Sequence, residues 1–164
     1  MIEGKEQVAE WQLEHLMHVV ARSYRDWGHW HPNTRAFGYL CTYAPVEMLH
    51  AAGFVPIRLM QLSGPVALAS AHLPSFACAL ARAVTERMLS GQLDLFEGVL
   101  FVHTCDTMQC MADIWRMAVP PFKVITFSMP TVLSQPSARE YLVAELHHLA
   151  TLLESEFGTQ VSDG

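Results

Sequence analysis

Apolar and polar positions along this chain switch repeatedly between a helical period and short continuous apolar runs. Residues 5–27 place Val8, Trp11, Leu13, Leu16, Val19, Val20 and Tyr24 at close to helical spacing, with Glu10, Glu14, Arg22 and Arg25 among them. That is the pattern of an amphipathic helix. The segment 27–33, WGHWHPN, breaks it. Residues 36–41 are short, apolar and uncharged, and read as a strand. Pro45 opens a helix carrying Val46, Met48, Leu49 and Ala52, which Gly53 closes. Residues 54–60 form a second strand, and the small apolar residues 61–71 a loop with a short helical piece. Leu73-Pro74-Ser75 starts a long helix that runs to about Leu89 and stops at Gly91. Residues 98–103, GVLFVH, are the clearest strand. A loop and helix follow over 104–117, a fourth strand over 122–127, and a last helix over 137–157 that ends at Gly158.

Strands and helices therefore alternate, and the strand runs are apolar on both faces. This predicts an α/β fold: a single three-layer αβα lobe with a four-stranded parallel sheet, flavodoxin- or Rossmann-like, flanked by an N-terminal helix and a long C-terminal helix. The expected division is an N-terminal helix and loop over 1–34, the lobe over 35–135, and the C-terminal helix over 136–164. Ligands of such sheets bind outside the carboxyl ends of the strands.

Composition sharpens the picture. The 164 residues are 51% hydrophobic but only 16% charged, against about 25% in ordinary soluble domains. With 9 Met and 4 Trp, this suits a chain that hides surface against a partner. The net charge of −6 and the lack of any Lys/Arg run speak against nucleic acid. No apolar run reaches the roughly 18 residues of a membrane span. The opening MIEGKEQVAEW lacks a basic-then-apolar leader pattern. A cytoplasmic location with reduced thiols is the expectation.

Of the 4 cysteines, three fall at element boundaries. Cys41 follows the first strand, Cys105 follows the third, and Cys78 lies in the first turns of the long helix. The sheet rule brings all three to one edge. A thiol at a helix N-terminus feels the positive end of the dipole, and soft metal centres take thiolates. Three connections can thus converge on one iron–sulfur group without a local CxxC. Two other readings stay open: small buried hydrophobes, and zinc, although the paired motifs of closed zinc sites are absent. Cys110, inside MQCMADIW, reads as a packed helical residue.

Other groups carry weaker signals. Glu47, beside the Cys41 turn, is a candidate acid–base group or further ligand, or simply neutralises its helix N-terminus. Asp106 or Thr107 is the expected cap of the helix after Cys105. Arg58 can meet a phosphate or a surface carboxylate. His29 and His31 bracket Trp30, while the neighbours His147 and His148 do not share a helix face. Dinucleotide, P-loop and serine-hydrolase motifs are absent.

Three stretches together, CTYAPVEMLHAAGFVPIRL, LPSFACALARA and GVLFVHTCDTMQCMADIW, resemble the 2-hydroxyacyl-CoA dehydratase and benzoyl-CoA reductase superfamily, which also contains double-cubane cluster proteins. The resemblance is carried by Cys41 with Pro45 and Glu47, by the AAG of 51–53, by Cys78 after Leu73-Pro74-Ser75, and by Cys105-Asp106 after a strand. It runs over residues 35–158. It implies a [4Fe-4S] cluster held by Cys41, Cys78 and Cys105 near an acyl-CoA site. It further implies an ATP-dependent iron–sulfur activator that delivers one low-potential electron, and radical loss of a hydroxyl from the thioester or reduction of an aromatic ring. Subunits of the superfamily work in pairs and contain two similar α/β lobes. The chain then corresponds to the N-terminal lobe of a lyase or reductase component, not active alone, with residues 136–164 leading toward a second lobe or paralogous subunit. The alternative is a non-catalytic [4Fe-4S] electron-transfer or partner module.

Overall fold

Four strands, β1 (Ala36–Tyr39), β2 (Val55–Arg58), β3 (Phe96–Val102) and β4 (Lys123–Phe127), form one sheet in the order β2-β1-β3-β4. Every neighbouring pair is parallel, with Gly38 beside Ile57 and Val99, and Leu100 beside Ile125. Helices α1 (Val46–Ala51), α2 (Ala79–Leu89) and α3 (Asp106–Ala118) fill the crossovers, and α4 (Ser137–Phe157) follows β4. A 3-10 turn, Leu68–Ala71, stands between β2 and α2. This computed structural model describes Tyr24, residues 31–60 and residues 64–161. The helix expected over 5–27 lies outside them apart from Tyr24, which is helical, and His29 lies outside them altogether. Residues from Asn33 onward form one unit, and the αβα lobe with a four-stranded parallel sheet is what the alternating pattern predicts.

Each face of the sheet has its own layer. Helices α1 and α4 pack together, as do α2 and α3. From Gly98 to Val102 strand β3 is buried, and because successive side chains point opposite ways it packs on both faces of the sheet. Leu100 and Val102 join Leu49, Phe54, Leu149 and Leu153 in one cluster. Phe101 meets Trp115 edge-on, with ring centroids 5.1 Å apart. The buried Trp115 Nε1 donates to Thr85 Oγ1 at 2.9 Å, and that hydroxyl donates to Met111 Sδ at 3.3 Å. The buried polar groups of Trp115 and Thr85 are thereby satisfied. Gly98 is required by packing: a Cβ there would stand 2.8 Å from the Phe37 ring and 3.0 Å from the Lys123 carbonyl oxygen.

The glycine stops fall where the sequence puts them. Past α1, Gly53 takes φ +82°, its N–H donates to His50 O, and Phe54 N–H donates to Leu49 O. Past α2, Gly91 takes φ +70°, with Gly91 N–H to Met88 O and Gln92 N–H to Arg87 O. Both are paired left-handed closures that satisfy the last helical carbonyls.

Other boundaries move. β1 stops at Tyr39, short of Cys41, and Pro45 is the N-cap of α1 rather than its first residue. The long helix does not begin at Leu73. Ala77 N–H closes a turn on Pro74 O, Cys78 is extended (φ −60°, ψ 152°), and α2 starts at Ala79. β3 begins two residues before Gly98, at Phe96.

Candidate thiol site at the carboxyl edge

Both β1 and β3 deliver a cysteine just past their carboxyl ends. After Leu40 N–H donates to Leu100 O, the chain leaves the sheet and Cys41 adopts φ +73°. Cys41 is the one non-glycine residue among those described with a left-handed backbone, a conformation that costs about 1–2 kcal/mol. Thr104 Oγ1 donates to Cys41 Sγ at 3.2 Å. This ties the turn after β1 to the turn after β3, one residue before Cys105. Cys105 is the extended N-cap of α3 (φ −159°, ψ 165°), so the cap expected of Asp106 or Thr107 belongs to Cys105, and Asp106 is the first helical residue. The apolar run forces this: Met108, Met111, Ala112 and Trp115 must face the sheet, which fixes where the helix begins.

Cys78 reaches the same edge by another route. α2 must return the chain to the amino end of β3, so its N-terminus lies at the carboxyl side. Cys78 caps that N-terminus, and its Sγ accepts the Ala81 N–H at 3.4 Å. Cys78 therefore stands before the first turn of α2, not within it as its sequence context predicts.

All four cysteines are free thiols; Cys41 is half-buried and the other three are exposed. None is fully buried, although Cys41 packs against the core cluster. Exposure goes against the buried-hydrophobe reading for Cys78 and Cys105 and corrects Cys110, whose sequence context predicts packing. It lies on the open side of α3, off the stripe that faces the sheet. Among the described residues no three His, Cys, Asp or Glu side chains stand close enough together to hold a metal ion. In kind and placement the three boundary thiols suit an iron–sulfur group, whose usual ligands are thiolates. In spacing they stand as separate thiols.

Three polar side chains escape sequence reasoning. His103 Nδ1 lies 3.1 Å from Ser128 Oγ, joining the ends of β3 and β4, and Ser128 N–H donates to Glu145 on α4 at 3.3 Å. Three separate segments meet here, and no local motif announces them. Glu47 is exposed in the first turn of α1, in keeping with the helix-end role. Arg58 is exposed at the end of β2.

The model of the family described as 2-hydroxyglutaryl-CoA dehydratase, D-component, matches residues 41–164. The chain belongs to this dehydratase family. Among its relatives, the beta subunit of lactoyl-CoA dehydratase from Anaerotignum propionicum is 33% identical over 129 residues, covering 78% of this chain and 34% of that one. A benzoyl-CoA reductase subunit from Thauera aromatica is 28% identical, covering 85% of this chain and 36% of that one. The beta subunit of (R)-2-hydroxyglutaryl-CoA dehydratase from Acidaminococcus fermentans is 27% identical over 131 residues, 79% of this chain and 35% of the relative. The chain thus spans about a third of the length of these relatives. The dehydratase-family match begins at Cys41 and takes in all four cysteines, Glu47 and the whole of α2 to α4. Among the described residues of this family member, no helix is long and apolar enough to cross a membrane.

Proposed function

We propose that this chain is the thiol-bearing lobe of an acyl-CoA dehydratase or acyl-CoA reductase, with Cys41, Cys78 and Cys105 as ligands of a [4Fe-4S] cluster. The observation that carries the reading is three accessible free thiols at one edge of the sheet. Free cysteine is ordinarily among the most buried residue types, so two exposed thiols and a half-buried one at element ends call for a chemical role. The CoA thioester is the element common to the names of the relatives, and it is the substrate class proposed here. When bound, the cluster would supply a low-potential electron to that thioester. The residues of this chain bind and orient: the three thiols are ligands, Thr104 aims the Cys41 sulfur through its hydroxyl, and Glu47 is the acid–base group or a further ligand. The site is completed by a paralogous subunit or a second α/β lobe, and an ATP-dependent iron–sulfur activator provides the electron.

A second reading is a non-catalytic [4Fe-4S] electron-transfer or partner module. The separation of the thiols among the described residues favours it, since a site completed elsewhere needs no closed set here. Anaerobic purification with assay of iron, acid-labile sulfide and the electron paramagnetic resonance signal tests both. About four irons per chain or per pair of chains is the expected result. Cys41→Ser and Cys78→Ser should each lose the iron and the brown absorbance. Iron binding unchanged in both variants would falsify the ligand assignment.

A further inference from the structure

Between the thiol-bearing segments lies a recess of about 270 Å³. One wall is the turn that leads into Cys78, with Leu73, Phe76 and Ala77. The other is the open side of α3 just after Cys105, with Asp106, Cys110 and Ile114. Whole-ligand pockets run from about 300 to 1,000 Å³, so the recess is too small for a complete CoA thioester. It is ample for an acyl tail: a dry apolar cavity of about 150 Å³ already holds benzene. Asp106 is the one carboxylate in its lining. As the first residue of α3, Asp106 also offsets the positive end of that helix, so the recess offers an anion no attraction from the helix dipole.

We infer that this recess is the specificity pocket for the acyl group. It takes an uncharged hydrocarbon tail and rejects a tail that ends in a second carboxylate. The inference rests on the acyl-CoA reading above and adds to it the class of acyl group. Apolar walls favour each buried methylene by about fourfold. A terminal carboxylate in the same place would lose its water and face Asp106.

Cys110 supplies the readout, because it is exposed and lines the recess. The full chain, prepared anaerobically, is treated with N-ethylmaleimide in the presence of valeryl-CoA, glutaryl-CoA or CoA alone. Alkylation of Cys110 is followed by peptide mass spectrometry. The two thioesters match in carbon number and differ in the terminal carboxylate. Valeryl-CoA should protect Cys110 at a concentration about tenfold lower than glutaryl-CoA, and CoA alone should not protect it. Asp106→Asn should narrow that gap. Ile114→Trp, which fills the recess from the α3 wall, should abolish protection while the melting temperature holds. Equal protection by both thioesters, protection by CoA alone, or none at all overturns the assignment. So does a gap left unchanged by Asp106→Asn, which tests the charge argument even where the Trp variant misfolds. Iron measured on the same samples separates the two readings. Selective protection without iron keeps the pocket and removes the cluster; iron without selective protection does the reverse.

Discussion

The two edges of the same sheet are finished in opposite ways. At the amino edge, Arg35 holds Glu97 through two hydrogen bonds, 2.8 and 2.7 Å, and its guanidinium lies 4.5 Å from the centre of the Phe54 ring. The hydrogen bond to Glu97 raises the pKa of the Arg35 guanidinium above the ordinary arginine value. Beneath it Phe37, Phe54 and Phe157 meet one another, with centroids 4.9 to 5.4 Å apart. At the carboxyl edge the aromatic and aliphatic side chains point outward: Phe76 is 89% exposed, Leu133 73% and Tyr43 64%. There too the backbone is strained, at Cys41, and the thiols are open. Apolar surface resolved inside the molecule holds the fold, whereas apolar surface left outside it around reactive groups is surface kept for binding.

The sharpest way to break this contrast is to delete one aromatic ring at each edge. Phe54 is 1% exposed and touches both other rings and Arg35. Phe54→Ala should destabilise the chain by about 3–5 kcal/mol. Phe76→Ala should stay within about 0.5 kcal/mol of the parent. Urea midpoints with matched slopes measure both. A comparable loss from the two variants would mean that the carboxyl edge is as structural as the amino edge.

How far these edges are legible in the sequence follows from which signals are local. Gly53 and Gly91 are readable as helix stops because left-handed closures strongly favour glycine. α4 is readable to the residue, Ser137–Phe157, because its pattern is long and Gly158 bounds it. The start of α2 is not. LPSFACALARA is continuously apolar, and Pro74 looks like a first-turn proline, so nothing local reports that Cys78 is extended. The caps escape for a related reason: carboxylates and hydroxyls are the ordinary N-caps, whereas here cysteines hold both N-cap positions and only the Cys78 sulfur accepts a helix N–H. Cys41, Cys78 and Cys105 can be named from position alone. The partner of Cys41 cannot, because Thr104 is 63 residues away and arrives through strand pairing. Cys110 misleads because exposure depends on which side of α3 meets the sheet. One position separates it from the buried Met111.

A smaller effect sharpens the comparison at Cys41 itself. If its left-handed backbone is retained for the sulfur it presents, glycine should relieve the strain. Cys41→Gly should leave the protein equally stable or raise stability by up to about 1 kcal/mol, offset in part by loss of the Thr104 contact. The same variant should lose its iron after anaerobic reconstitution. Thermal melts and iron assays on one preparation read both quantities. A fall of more than about 2 kcal/mol would mark Cys41 as a structural residue and put the carboxyl edge in the same class as the amino edge.

The smallest effect tests how the loop toward the thiols is held. Glu86 on α2 reaches back to the 3-10 turn, where its Oε2 accepts the N–H groups of Ala67 at 2.9 Å and Ala69 at 2.8 Å. These bonds, that from Ala69 foremost, hold its carboxyl below the ordinary value of 4.5. Because the folded state prefers the ionised form, this contribution is complete above the unfolded value. It is lost as pH falls through the lower folded one. Glu86→Gln keeps an acceptor but removes the charge. The parent should therefore exceed the variant in stability at about pH 7, and the difference should shrink once the pH drops below about 4.5. Urea midpoints of both proteins across that range decide it. A difference that does not change with pH would mean that the uncharged amide holds the turn as well as the carboxylate does. The approach to Cys78 would then be fixed by backbone geometry alone, as the amino edge is fixed by its rings.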